Sequence, residues 1–236
     1  MSAAMDTIDF DVAVIGAGIA GSTAAAALAP HKRVVLVEAK EAPGYHTTGR
    51  SAAIWILNYG PPDVRVLTGQ SRSFFESPPP GFTDVPLTSP RAVLFLTPAD
   101  QRDAFGQFMA ESSGVREISP ATARELVPAL RPDYAVAAAI EDDGFDMDVA
   151  ALHQGYLRTL RAHGGQIALR YRAGRIVHEN GAWQITTTTG EVIRAPIVVN
   201  AAGAWGDEVA EMAGLRPLGL TPCRRTGVII DPAPFD

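Results

Sequence analysis

The first forty residues alternate short apolar runs with a glycine turn and an alanine-rich stretch. In "DFDVAVIGAG", Val12 to Ile15 form an unbroken apolar run between Asp11 and Gly16, the pattern of a strand covered on both faces. "GSTAAAALAP" is dense in the strongest helix former and halts at Pro30, which predicts a helix. "KRVVLVEAK" repeats the buried-strand pattern. Strand, glycine turn, helix and strand at this spacing make one βαβ unit, with parallel strands and a right-handed crossover.

Beyond it, "EAPGYHTTGRSAAIWILNYGPP" is punctuated by Gly, Thr and Pro and predicts a long functional loop with a short helix over 51–57. "DVRVLTGQSRSFFES" predicts a helix with Val64, Leu67, Ser71 and Phe74 or Phe75 on one face, ended by "SPPPGF". "RAVLFLTP" reads as a strand, 100–113 and 120–126 as helices, and "YAVAAAIEDDGFDMD" as a strand and turn. "DVAALHQGYLRTLRAHGG" is a long helix capped by Asp148 and stopped at Gly164. The stretch from Gln166 to Gly203 then gives several strands, turning at Asn180-Gly181 and Thr189-Gly190. The fold class is α/β: a Rossmann-like domain from 1–62 and 145–213, and a domain built on a β-sheet from 63–144 and 214–236. "VIIDPAPFD" breaks off where a strand meets a proline turn, so the fold is expected to be incomplete at its C-terminus.

Composition narrows the function classes. Hydrophobic residues make up 47% and charged residues 19%, as in folded globular proteins. A net charge of −6 argues against nucleic acid as a partner, which calls for clustered Lys and Arg. The single cysteine, Cys223, leaves no internal disulfide and no Cys-rich metal site. "MSAAMDTIDFD" has no basic region ahead of an apolar run, and a cytoplasmic location is expected.

Gly16, Gly18 and Gly21 form G-x-G-x-x-G between strand and helix. The first glycine allows the tight turn, the second lets a pyrophosphate approach the backbone, and the third lets helix and strand pack closely. The helix N-terminus then favours phosphate charge. Glu38 ends the next strand roughly 20 residues on, where a carboxylate accepts hydrogen bonds from ribose hydroxyls and repels a 2′-phosphate. Three glycines at this spacing, bracketed by Asp11 and Pro30, make poor membrane-spanning material.

Longer strings carry a more specific signal. "GYHTTGRSAA", "PLTSPR", "ALHQGYLR", "VVNAAGAW" and "AGLRPLGLTPCRR", spread along nearly the whole chain, resemble the D-amino-acid oxidase superfamily of FAD enzymes, and within it the bacterial D-arginine dehydrogenases. The resemblance implies FAD, with its ADP moiety around Gly16, Gly18, Ala20 and Gly21 and its ribose at Glu38 and Ala39. Thr47, Thr48, Gly49, Arg50, Ser51, Ala52 and Ala53 would line the pyrophosphate and flavin, Ala173 the adenine end, and Gly203 the second dinucleotide-side turn. It makes the first domain FAD-binding and the second substrate-binding. It also implies substrate-positioning roles for Arg225, toward the substrate carboxylate, and for Tyr59 in a mobile loop.

The reaction so implied oxidises the CH–NH2 group of a D-amino acid to an imine and then a 2-oxo acid, with the protein supplying placement. Two departures bear on the substrate. Ile54 replaces the histidine that follows "RSAA" in the arginine enzymes, and Val93 replaces the acidic residue after "SPR-x". An unpaired guanidinium in such a pocket would cost several kcal/mol, so a neutral or hydrophobic D-amino acid is expected. The electron acceptor is left open. A flavin-dependent 2-hydroxy-acid dehydrogenase and a noncatalytic FAD-binding fragment are the alternative readings. No metal site is expected: His153 and His163 are no ligand pair, and "EDDGFDMD" lacks the pattern of a calcium loop. His31 reads as a solvated cap and His46 as a support of the cofactor loop.

Overall fold

The structure is a computed structural model; it describes residues 7–224 together with 226, 231 and 233, with backbone alone at 7 and 8. In chain order the elements begin β1 (Thr7–Asp9), β2 (Val12–Ile15), α1 (Ile19–Leu28), β3 (Val34–Glu38), β4 (Ile54–Trp55), α2 (Pro62–Glu76) and β5 (Thr88–Pro90). They continue with β6 (Val93–Thr97), α3 (Arg102–Glu111), β7 (Val115–Ile118), α4 (Pro120–Leu126), β8 (Ala137–Glu141), β9 (Phe145–Met147) and α5 (Val149–Ala162). The remainder are β10 (Gln166–Leu169), β11 (Ala173–Glu179), β12 (Ala182–Thr187), β13 (Val192–Ala195), β14 (Ile197–Asn200) and α6 (Gly206–Met212).

The described residues form two compact units, one of 7–51, 80–85 and 149–224, the other of 52–79, 86–148, 226, 231 and 233. The division runs at 51/52 and 148/149, where the sequence pattern placed it at 62/63 and 144/145, and 214–224, expected in the second domain, belong to the first unit. Segment 80–85 goes with the first unit because the Phe82 ring packs on Gly155 of α5 and the Arg158 guanidinium donates to the Phe82 carbonyl.

In the first unit β2 and β3 are the inner strands of an all-parallel sheet ordered β10-β3-β2-β14. Both of its faces are covered, which is why Val12–Ile15 and Val34–Val37 are apolar without alternation. Side-chain alternation sends Val12, Val14, Val34 and Leu36 toward a core shared with Ala25 of α1, Ala29 just after its end, and Leu157 and Leu160 of α5. Ala13, Ile15, Val35 and Val37 meet Ile176, Ile185 and Ile193 of a second sheet, β1-β13-β12-β11, together with Val209 of α6. Asn180 and Gly181 take positive φ in succession, as the tight β11–β12 hairpin demands.

In the second unit β8 lies between β6 and β7, and every residue of "AAAIE" is buried. Phe105 of α3 packs there with Ala137 and Ala139. A second antiparallel sheet, β4-β9-β5, stacks Trp55 on Phe145 with ring centroids 4.8 Å apart. The short helix expected over 51–57 does not form. A 3-10 turn occupies Thr48–Arg50, Ala53 takes φ +54°, and Ile54–Trp55 pairs with β9, where the Trp55–Phe145 stack outweighs local helical tendency. α2 forms as expected but buries no residue fully, and Val64 and Leu67 on its apolar stripe are exposed.

Candidate functional site

The first unit's site is built where β2 runs into α1. Gly16 has φ +104°, and its N–H donates to the Val37 carbonyl at 2.8 Å, which bends the chain across the end of the sheet. A Cβ at Gly21 would lie 1.8 Å from the Gly16 carbonyl oxygen, so helix and turn are in direct backbone contact there. At Gly18 the nearest atom to such a Cβ is the Thr48 hydroxyl, at 3.2 Å.

α1 has no capping side chain of its own at Gly18. Thr48 supplies one from the following loop, its hydroxyl accepting the Ile19 N–H at 2.9 Å. Glu38 closes the other side: one carboxylate oxygen accepts the Ala17 N–H at 3.0 Å and the other the Lys40 N–H at 2.9 Å. Each oxygen keeps a second lone-pair site for an outside donor.

These groups border a cavity of about 500 Å³. Gly16, Gly18, Ala20, Glu38, Ala39, Thr47, Thr48, Ala173 and Gly203, all expected at the cofactor, line it. Gly21 does not line it and acts through helix packing. Gly49, Arg50 and Ser51 also stand outside the lining; the Gly49 N–H bonds to the Gly44 carbonyl, and the Arg50 guanidinium lies 5.5 Å from the Tyr45 ring centre. Ala52 and Ala53 fall in the second unit, where the Ala53 carbonyl accepts the Met147 N–H. Tyr59 is 56% exposed in that unit, while Arg225 lies outside the described residues.

Several contributors were given no direct site role by sequence reasoning. His46, expected only as a support of the cofactor loop, itself lines the cavity and packs on Trp205, ring centroids 4.6 Å apart. Asp207 accepts the N–H groups of Leu218, Gly219 and Leu220 at 2.7–2.9 Å, holding the stretch of chain that leads to Cys223 and Arg224. The bond from Leu218, chief among these, holds the Asp207 carboxyl below the usual carboxylate range. Behind the turn, His153 is buried, its Nε2 2.9 Å from the Ser22 hydroxyl and 3.0 Å from the Ala17 carbonyl oxygen. Among the described residues no group of His, Cys, Asp or Glu is arranged to hold a metal ion, and no helix is long and apolar enough to cross a membrane.

Burial holds the His153 imidazole below its ordinary range, against the pull of its bond to Ala17 and of the Glu38 charge. The unfolded ring takes up a proton near pH ~6.5 and the folded ring only at lower pH. Its contribution to stability is therefore complete above ~pH 6.5 and declines as pH falls from there toward the folded value. The thermal midpoint of the chain is expected to drop between pH 7 and pH 5, and the drop to be shallower in His153→Gln. Identical slopes in differential scanning fluorimetry would refute this.

A glycine turn against a helix N-terminus, a carboxylate ending the second strand and a cavity of this size define a dinucleotide-binding α/β protein. The residues suit FAD: the cradle at Gly18 is open to a phosphate, and Glu38 has lone pairs for ribose hydroxyls. The chain matches the family described as FAD dependent oxidoreductase over residues 11–236 and belongs to it. It is 30% identical over 149 residues to an anaerobic glycerol-3-phosphate dehydrogenase of Escherichia coli K12, a match spanning 58% of this chain and 27% of that protein. It is 28% identical over 212 residues to a D-amino-acid oxidase of Rubrobacter xylanophilus, spanning 87% of this chain and 56% of the relative. Its fold is similar to that of an L-alpha-glycerophosphate oxidase from Mycoplasma pneumoniae with FAD bound, with TM-score 0.74, 15% identity, and coverage of 88% of this chain and 57% of the other. The chain thus spans from about a quarter to just over half the length of these relatives.

Proposed function

We propose that the chain serves the FAD-dependent oxidation of the CH–NH2 group of a neutral or hydrophobic D-amino acid to an imine, which water converts to a 2-oxo acid. The observation that carries this reading is the glycine-turn cavity, in a chain similar over 87% of its length to a D-amino-acid oxidase. Gly16, Gly18, Ala20, Glu38 and Ala39 would hold the ADP moiety, with Thr47 and Thr48 toward the pyrophosphate, Ala173 toward the adenine and Gly203 at the second turn. Gly49, Arg50, Ser51, Ala52 and Ala53 keep the flavin-side roles implied by the resemblance. Bound FAD supplies the two-electron acceptor that no side chain offers.

The chain's own part is placement. Arg225 would grip the substrate carboxylate with its planar fork, and Tyr59 would hold the substrate from its exposed position. Ile54 and Val93, apolar where the arginine dehydrogenases carry polar groups, favour an uncharged substrate side chain. A cytoplasmic location accords with the single cysteine.

The similarity to a glycerol-3-phosphate dehydrogenase supports a second reading, oxidation at a CH–OH group as in a 2-hydroxy acid. An anaerobic visible spectrum of the FAD-loaded chain separates the two. Neutral D-amino acids are expected to bleach the flavin band, with D-arginine far slower. Bleaching by 2-hydroxy acids alone favours the second reading, and no bleaching by any substrate leaves a noncatalytic FAD-binding chain.

A further inference from the structure

The two peptide units that flank Ala17 in the glycine turn are held from behind. Ala17 lies between Gly16 and Gly18, yet it is not part of the cavity lining, whereas both neighbours are. Its N–H is committed to Glu38, and its carbonyl accepts from the Gly44 N–H at 2.9 Å and from His153 Nε2 at 3.0 Å. A carbonyl only accepts, so Nε2 carries the ring proton. The Ser22 hydroxyl, 2.9 Å from Nε2, stands beside the same proton as a second acceptor and directs its own proton to the Ala17 carbonyl at 3.5 Å, a longer bond than that of His153.

The fit around the ring is close. Gly44 has φ +75°, and a Cβ there would lie 2.9 Å from His153 Cε1. Ser22 and His153 are 0% and 4% exposed, so water does not replace either partner. A buried donor kept on one backbone carbonyl is a costly arrangement to lose, because the carbonyl would then be left with fewer of its bonds.

We propose that His153 is a positioning residue for FAD: by donating Nε2–H to the Ala17 carbonyl from α5, it fixes the rotation of the Ala17–Gly18 peptide and so aims the turn at the pyrophosphate. The proposal rests on the assignment of FAD to this turn. Glu38, which accepts the Ala17 N–H of the preceding Gly16–Ala17 peptide, and Gly44 in the loop complete the clamp. The turn is thereby preorganised before the cofactor arrives, which improves affinity by removing an ordering cost rather than by adding a contact.

The test is a comparison of His153→Met, without a donor, and His153→Gln, with an amide donor, against the wild-type apo chain. FAD affinity is read by quenching of flavin fluorescence, and folding by far-UV circular dichroism and the apo thermal midpoint. His153→Met is expected to raise the Kd for FAD about tenfold, in line with the loss of one buried hydrogen bond, and His153→Gln to recover most of it. A His153→Met chain that is folded and binds FAD like wild type overturns the proposal. If both variants fail to fold, 15N spectra of the wild-type histidine rings decide: the Nε2-protonated His153 ring is expected to shift as FAD is added, and an unmoved resonance overturns the proposal. A wild-type chain that binds no FAD overturns the cofactor assignment as well, an outcome distinct from equal binding by wild type and variant.

Discussion

Gly21→Ala is expected to abolish FAD retention and to lower the apo thermal midpoint, because the added Cβ would meet the Gly16 carbonyl oxygen at 1.8 Å and Ala201 Cβ at 3.3 Å. The first contact is with backbone, which cannot rotate away as a side chain would. Relief requires α1 to slide from β2 or the glycine turn to open, and overpacking of this kind costs about 1–3 kcal/mol or more. Either movement displaces the first-turn amides from the cavity, so affinity falls by at least about 10- to 100-fold. Gly18→Ala separates binding from folding. Its Cβ would have the Thr48 hydroxyl as nearest neighbour at 3.2 Å, so the apo midpoint should stay close to wild type while the filled cradle still weakens FAD. Fluorescence titration and scanning fluorimetry of the two variants check both claims. Wild-type affinity in Gly18→Ala would remove the pyrophosphate from this turn, and a wild-type midpoint in Gly21→Ala would refute the packing argument.

The part of the fold that was readable in the sequence is the part whose signals are local. The run from Val12 to Ile15, the three glycines and the Ala-rich helix lie within one βαβ unit, and the pattern that marks each of them is local even though their packing partners include α5 and the second sheet. Nine of the expected cofactor positions border the cavity because they belong to this unit or to segments that meet it at the end of the sheet. Long-range contacts were not readable. Ile54 and Trp55 become a strand only because Phe145, far along the chain, offers a pairing partner and a stacking face. In the sequence His153 reads only as no ligand pair with His163 on a long helix; its meaning depends on Ser22 and Ala17, which a helical pattern in α5 does not report. A small clue was present in Gly44, whose positive φ and missing side chain make room for the imidazole, but it needs the fold to be interpreted. In the same way "EDDG" reads as a turn, whereas its first residue is the buried end of β8.

That residue, Glu141, gives the second large effect. It is 2% exposed, and its two carboxylate oxygens accept the Leu57 N–H and the Asn58 side-chain amide, each at 2.8 Å. Asn58 is itself pinned, exchanging hydrogen bonds at 2.9 Å with the Ser113 carbonyl and N–H. Glu141 sits opposite Val93 on β6 and Val115 on β7, and among the described residues no ion pair to it is formed, so its burial is offset by these two donors. Glu141→Ala leaves the Leu57 N–H and one of the two Asn58 amide N–H groups without acceptors and opens a void, at a cost of about 3 kcal/mol or more. That corresponds to a fall of roughly 6–12 °C in thermal midpoint for a chain of this size. Glu141→Gln keeps the volume and one acceptor oxygen but turns an N–H2 toward the Asn58 amide, so it should fall between wild type and Glu141→Ala. The network also restrains Leu57 and Asn58, the two residues before Tyr59, so either variant should raise the KM for an active substrate more than Gly18→Ala does, while FAD affinity stays near wild type. Loss of FAD binding in a folded Glu141→Gln chain would contradict this separation, and a wild-type midpoint in Glu141→Ala would show that the buried carboxylate contributes nothing to the second unit.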